Sequence, residues 1–230
     1  MSSSPAAIPM PRVLSVNLAR VQPNPYKGLE ITGIEKIGTP DAVEVRAPGP
    51  KRGGLGSGLV GDQIGDRQHH GGDDQAVYAY AREDLDVWQE RLGRDLASGS
   101  FGENLTTVGL DVNDARIGER WRIGDTLELQ VTDPRIPCAT FRGWIAERGW
   151  LKTFTAAAIP GAYLRVVTPG LVRMGDVITV THRPDHDVTV SLVFRAMTRE
   201  PKLLPQLLAA ADLPAETREM AERGNTFSLD

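Results

Sequence analysis

Cysteine and long apolar stretches are scarce in this chain of 230 residues. Its single cysteine, Cys138, has no partner with which to form an internal disulfide. No run of apolar residues approaches the roughly 20 that a membrane-spanning helix requires. Residues 1–11 are rich in Ser, Ala and Pro and lack the basic start and apolar centre of a secretory signal. We therefore expect a cytoplasmic protein, in a compartment that keeps thiols reduced.

Positive charge is not in excess either. The chain has 26 Lys and Arg residues against 30 Asp and Glu, which gives a formal net charge of -4. This balance argues against nucleic acid or an anionic membrane as the main partner. By contrast, glycine is plentiful, with 24 residues, and there are 16 prolines. Both residue types favour turns, so the composition is typical of a mainly β fold with short strands.

Alternating apolar and polar residues between Val13 and Ala19 predict a half-buried strand. Gly124-Asp125 separates two further strand-like segments and predicts a hairpin. The predicted strands, hairpin included, cover residues 13–19, 33–38, 42–45, 75–80, 117–124, 127–131, 162–167 and 177–180. Helices are predicted at 82–92, which Gly93 would end, and at 144–154.

Composition also suggests how the chain is divided. Residues 1–11 are predicted to be a disordered tail and residues 12–183 a single β-rich domain. Residues 184–230 are predicted to form a small α-helical appendage of three short helices, at 192–197, 203–211 and 214–223. The glycine-rich stretch from Pro48 to Gly61 is predicted to be a flexible loop beside a site. It lacks the lysine and the following helix of a phosphate-binding loop.

Cys138 ends the segment Pro134-Arg135-Ile136-Pro137-Cys138. The two prolines restrict the backbone that leads to the thiol. A lone cysteine is a small buried hydrophobe, a reactive thiol or a metal ligand, and this segment alone does not decide between them.

Two more segments carry candidate site residues. His69-His70-Gly71-Gly72 is either a tight turn with surface histidines or a ligand loop whose glycine amides form an anion-binding concavity. A zinc site is disfavoured because adjacent histidines point apart. In Phe101-Gly102-Glu103-Asn104-Leu105, the polar pair either caps a turn or lines a pocket that binds a polar heterocycle.

In combination, these segments resemble the MOSC family, the domain named for the C-terminal part of molybdenum-cofactor sulfurase. The similarity is greatest to stand-alone bacterial members of the YiiM-like type, and it covers roughly residues 12–182. The matching stretches are 58–62, 70–80, 101–106, 117–119 and 134–138.

The resemblance implies a closed, mostly antiparallel β-barrel that binds a molybdopterin-type molybdenum cofactor. It implies that Cys138 binds molybdenum as a thiolate, which suits a soft metal. Arg135 would favour the thiolate and attract the cofactor phosphate. His70, Gly71 and Gly72 would form part of the cofactor or substrate pocket. The remaining predicted cofactor-binding residues are Glu103 and Asn104.

The resemblance further suggests an oxidoreductase that reduces N-hydroxylated compounds, such as hydroxylamino-bases or amidoximes. Cys138, His70 and Glu103 are then the predicted catalytic residues, with His70 or Glu103 delivering protons. One cysteine cannot hold an iron–sulfur cluster, so a separate reductase would supply electrons, and the protein would be a monomer or homodimer. Two alternatives stay open: a carrier of molybdenum cofactor or of a persulfide on Cys138, and a protein-binding domain that has lost its cofactor.

Overall fold

A computed structural model describes residues 10–28 and 30–227. All but the last two residues of the predicted tail, 1–11, lie outside the described residues. The described strands are β1 (Arg12–Ala19), β2 (Gln22–Pro23), β3 (Ile31–Thr32), β4 (Lys36–Thr39), β5 (Val43–Val45), β6 (Val77–Ala81), β7 (Leu105–Val108), β8 (Arg120–Ile123), β9 (Leu127–Pro134), β10 (Ala162–Thr168), β11 (Gly170–Val172) and β12 (Ile178–His182). The described α-helices are α1 (Arg82–Leu92), α2 (Ala139–Ile145), α3 (Trp150–Ala157), α4 (Val190–Thr198), α5 (Leu204–Leu207) and α6 (Ala215–Arg223), with short 3₁₀ turns at Asp73–Gln75 and Pro201–Leu203.

Eight of these strands form one large sheet, in the order β12-β8-β9-β10-β6-β7-β1-β4. Its neighbouring strands are antiparallel, except that β6 and β7 run parallel. The remaining described strands pair as β5 with β11 and β2 with β3. A mainly β fold with a few helices is therefore confirmed.

The predicted closure into a barrel is wrong, because β12 and β4 are the two ends of an open sheet. The cause lies at the outer edge of β1. Residues Val16–Ala19 of that edge pair with β4, which leaves only the start of β1 to approach the other end of the sheet. There, an isolated bridge joins Arg12 to Val177. Three backbone hydrogen bonds between residues 11–13 and 175–178 accompany this bridge. These contacts do not form a continuous ladder, so the sheet stays open.

Local signals fix several elements where they were expected. The hairpin forms from β8 and β9, with Ile123 paired to Leu127 around the predicted turn. Helix α1 ends at Gly93, whose φ of 63° lies in the left-handed region that suits glycine.

The single helix predicted over 144–154 is wrong. Two helices, α2 and α3, stand there, separated by Ala146 at φ 54° and Gly149 at φ 75°.

The main core lies between the large sheet and the C-terminal helices. Buried Val131 and Leu164 from the sheet share it with Val190 and Val193 of α4 and Leu207 of α5. Because apolar area removed from water is the main stabilising contribution, the C-terminal segment is part of this core. The division of the chain at residues 183 and 184 into two units stays a prediction.

A second core consists of aromatic side chains around Phe101. The rings of Tyr80, Phe141, Trp150 and Phe154 lie with centroids 5.1 to 6.1 Å from the ring of Phe101. Such edge-on and tilted contacts add to the effect of burial. This aromatic core holds the loop that contains Phe101 against α2, whose N-terminus carries Cys138.

Candidate functional site

Two neighbouring cavities meet at Cys138. The first encloses about 100 Å³ and lies among the loops before β4, the 62–71 loop and the loop that contains Asn104. The second encloses about 480 Å³ and lies between the 68–70 loop, the end of β9 and the C-terminal helices. Four side chains line both cavities: His70, Gln75, Cys138 and Tyr163. The lone thiol thus stands at the junction of the two spaces.

Cys138 lies directly before the first residue of α2, in extended backbone with φ −115° and ψ 172°. Its thiol is half-buried. Burial alone would raise the pKa of this thiol, but the hydrogen bond with His70 and the charges of Arg135 and His70 lower it to about 6. Cys138 is therefore largely a thiolate at neutral pH, which makes it a nucleophile or a metal ligand rather than an inert core residue.

Arg135 supplies a buried positive charge beside this thiol, with 5% of its surface exposed. Its guanidinium donates to the carbonyl of Phe101 and lies 4.1 Å from the ring centroid of Phe141 and 5.2 Å from that of Tyr78. Its Nε is buried and has no hydrogen-bond partner among the described residues. A buried donor without an acceptor is costly, so this group is suited to an anion in the first cavity.

His70 lies in the loop between Asp66 and Gly71, where its backbone N–H donates to the carbonyl of Asp66 at 3.0 Å. The structure brings its side chain to Cys138, as the lowered pKa of the thiol reflects. The neighbouring His69 contacts the carboxylate of Asp66 at 3.0 Å, and Lys27 donates to the same carboxylate at 2.6 Å. The His69 side chain is therefore engaged with Asp66 and not with the thiol.

The expected anion-binding concavity at Gly71 and Gly72 does not form. Both glycines have positive φ, 84° and 82°, but their amides already have acceptors within the protein. The Gly71 N–H donates to Gln75 Oε1 at 3.3 Å, and the Gly72 N–H donates to the carbonyl of Gly56 at 2.9 Å. Gly71 lines the first cavity. Gly72 instead lies against the backbone of Lys51, where a Cβ would clash.

Glu103 does not line either cavity. Its fully buried carboxylate accepts hydrogen bonds from the amide of Gly99 at 2.5 Å, the amide of Phe101 at 3.0 Å and the hydroxyl of Thr106 at 2.9 Å. Burial raises the pKa of Glu103, and these donors act against that rise. The predicted proton-delivering role is therefore not supported by its position. Its hydrogen bonds instead stabilise the conformation of the loop that contains it.

Asn104 does line the first cavity, but its amide group is largely engaged by the protein. Its Oδ1 accepts from the Tyr78 amide at 3.1 Å, and its Nδ2 donates to Asp62 Oδ2 at 2.9 Å. Asp62 also accepts from Lys36 Nζ at 2.5 Å and from Ser57 Oγ at 2.7 Å. These buried hydrogen bonds hold Asn104 and Asp62 in place in the wall of the first cavity.

Three side chains at the site were not singled out from the sequence: Asp62, Tyr163 and Asp133. Asp62 lies in a stretch that matches the family, but only its many contacts reveal its importance. Tyr163 pairs with Asp133 across β10 and β9, a register that the sequence does not specify. Asp133 directly precedes the Pro134-Arg135 pair, so its nearness to Cys138 along the chain was an available signal.

Two features are absent from the described residues. No group of three or more His, Cys, Asp and Glu side chains there is placed to hold a metal ion. No helix in that part of the chain combines the length and apolar character required to cross a bilayer.

Comparison with curated proteins finds three relevant relatives. An uncharacterized protein YflK of Bacillus subtilis is 31% identical over 193 residues, covering 84% of this chain and 83% of the relative. Protein YiiM of Escherichia coli is 31% identical over 175 residues, covering 72% and 76%. A protein named "Reductase" from Gibberella moniliformis is 29% identical over 161 residues, which are 69% of this chain but 28% of that longer protein.

The fold also matches solved structures. YiiM from Geobacillus stearothermophilus superposes with a TM-score of 0.73 at 23% identity, covering 93% of this chain and 98% of that one. YiiM from Escherichia coli gives 0.68 at 23% identity, covering 94% and 92%. The MOSC domain profile matches residues 66–179, the segment that carries His70, Arg135 and Cys138. The chain belongs to the MOSC domain family.

Proposed function

We propose that this protein binds a molybdopterin-type molybdenum cofactor through Cys138 and reduces N-hydroxylated compounds with electrons from a separate reductase. MOSC domains are associated with molybdenum-cofactor binding, and one relative is named a reductase. The observation that carries the proposal is the thiol of Cys138, with a pKa near 6, between Arg135 and His70 where two cavities meet.

The residues present fit such a cofactor. A thiolate is the kind of soft ligand that molybdenum accepts, and Cys138 provides one at neutral pH. The unpartnered Nε of Arg135 is suited to an anionic group, as a phosphate or a dithiolene-bound metal centre would offer. Gln75 also lines the first cavity, and its amide nitrogen would be the donor available there to a polar heterocycle, because its Oε1 accepts from the Gly71 amide.

Within this proposal each side chain has a limited task. Cys138 would hold the metal, and Arg135 would keep the thiol ionised and compensate negative charge. His70 donates a proton to the leaving oxygen of the substrate. When bound, the cofactor supplies the two-electron chemistry. Overall, the N–O bond breaks, and two electrons from the reductase and two protons yield the amine and water.

The test is metal analysis and turnover of the full chain made in a host that synthesises molybdenum cofactor. We expect stoichiometric molybdenum in the wild type, its loss in Cys138→Ser, and reduction of a hydroxylamine substrate with an artificial electron donor. His69→Ala is the matched control and is expected to retain the metal. Wild-type protein from this host without molybdenum would contradict the proposal.

A carrier function is the second candidate. The half-buried, ionised thiol of Cys138 would also suit a persulfide or a cofactor that is handed to another protein. Molybdenum-loaded protein that shows no turnover with a working electron donor would favour the carrier over the reductase.

A further inference from the structure

The second cavity contains a carboxylate that the proposed function does not use. Asp133 lies at the end of β9 and is partly buried. Among the described residues, its oxygens accept hydrogen bonds only from the hydroxyl of Thr217 in α6, at 3.0 and 2.8 Å. No cation of the described chain forms an ion pair with it. Each oxygen therefore keeps capacity for a further donor.

The cations around the same cavity are already paired. Lys51 forms an ion pair with Glu216 at 2.7 Å, and Lys27 forms one with Asp66 at 2.6 Å. The negative charges left to a ligand in this cavity are therefore those of the Cys138 thiolate and of Asp133, a carboxyl whose pKa burial raises to about 7. A ligand that donates hydrogen bonds fits these charges, whereas an anionic ligand would be repelled.

Part of the lining of this cavity is apolar and comes from the C-terminal segment. Met197 of α4, Met220 of α6 and Phe227 line it, and the amide of Phe227 donates to the carbonyl of Met197 at 2.9 Å. Methionine and phenylalanine side chains pack well against flat rings. Its volume of about 480 Å³ lies in the range of small-molecule sites.

We propose that the second cavity is the substrate-specificity pocket, in which Asp133 and Thr217 bind the N–H groups of an amidine or aminoheterocycle whose ring packs against Met197, Met220 and Phe227. This inference rests on the proposed function, because it places the N-hydroxylated group of the substrate beside Cys138. Within the substrate class that the proposed function already names, it assigns recognition of the N–H groups to Asp133 and Thr217, and it gives the C-terminal helices a role in recognition. Asp133 is a positioning residue here, since it does not touch the N–O bond.

The test measures binding of benzamidine, and of its neutral analogue benzamide, to the full chain by titration calorimetry. We expect benzamidine to bind more tightly than benzamide, and Asp133→Asn to weaken benzamidine binding about tenfold or more, since a charge-assisted pair is lost. Asp74→Asn is the matched control: this carboxylate lies close to Asp133 but does not line the cavity, and it pairs with Arg165. Because the charge of Asp74 raises the pKa of Asp133, the control is expected not to weaken benzamidine binding.

Phe227→Ala tests the apolar wall separately and is expected to weaken the binding of both benzamidine and benzamide.

Equal benzamidine affinity in the wild type and in Asp133→Asn would overturn the inference, even if molybdenum and turnover are present. Conversely, Asp133-dependent binding in a protein that takes up no molybdenum would overturn the proposed function and leave the pocket assignment standing.

Discussion

Cys138 combines two features that usually exclude each other, partial burial and a lowered pKa. Burial disfavours the charged form of a thiol, so an ionised cysteine in a cavity wall requires nearby positive charge or hydrogen-bond donors. Arg135 and His70 meet that requirement from different segments, one three residues before Cys138 and one in the 66–71 loop. The reactivity of this residue is therefore set by its neighbours and can be changed through them.

The pH dependence of alkylation tests this arrangement. A thiol with a pKa near 6 is largely ionised at pH 7 and loses reactivity as the pH falls through 6. We expect the rate of Cys138 modification by iodoacetamide to be half-maximal near pH 6. His70→Ala removes a group that lowers the pKa, so the midpoint should move to higher pH and the rate at pH 6 should fall.

The adjacent histidine provides the control for this measurement. His69 contacts Asp66 and is 63% exposed, so His69→Ala is expected to leave the midpoint unchanged. A wild-type midpoint near 8.5, the value of an unperturbed thiol, would show that His70 and Arg135 do not act on Cys138 as described.

Among the elements, those with a local signal were predictable and those fixed by long-range contacts were not. Alternation fixed β1, and turn residues fixed the hairpin of β8 and β9. The open edge between β12 and β4 depends on the pairing of β1 with β4, a long-range contact that no local pattern encodes. In the site, Cys138, Arg135 and His70 lie close together, and all three are residues that the sequence segments name. The Glu103 carboxylate faces its own loop because it accepts hydrogen bonds from the Gly99 amide and the Thr106 hydroxyl. Only the folded loop brings these donors together.

The break between α2 and α3 shows why one helix was predicted instead of two. Ala146 occupies the left-handed region at φ 54°, yet alanine is the best helix former and gives no sign of a helix end. Ala146→Gly is expected to stabilise the protein by about 0.5 to 1 kcal/mol, because glycine adopts this conformation without steric cost. Thermal and urea unfolding measure the change.

Ala156→Gly is the matched substitution within α3, also at an exposed position. Glycine in a helix interior is expected to destabilise by about 0.5 to 1 kcal/mol, so the two variants should change the free energy of unfolding in opposite directions. A destabilised Ala146→Gly protein would contradict the described helix break.

In the whole molecule, the C-terminal helices and the sheet depend on each other. Val190, Val193 and Leu207 are completely buried against residues of the sheet. Burial of each such side chain is worth about 1.5 to 3 kcal/mol, and a domain has only about 5 to 15 kcal/mol of net stability. The apolar face that these helices cover would be exposed without them.

A truncation after Arg183 is therefore expected to prevent cooperative folding, as judged by solubility, circular dichroism and thermal unfolding. A truncation after Gly224 keeps every described helix and is expected to unfold within a few degrees of the full chain. A soluble, cooperatively folded fragment of residues 1–183 would show instead that the β-rich part is an independent domain.

The wall shared by the two cavities has a consequence for the order of binding. Because Cys138 and His70 line both cavities, two molecules, one in each cavity, can contact the same thiol at once. Neither has to leave before the other arrives. Such an arrangement allows a ternary complex, with one component resident through many cycles while the other is exchanged. Inhibitors would accordingly divide into two kinds, those that displace the resident component and those that only close the route of exchange.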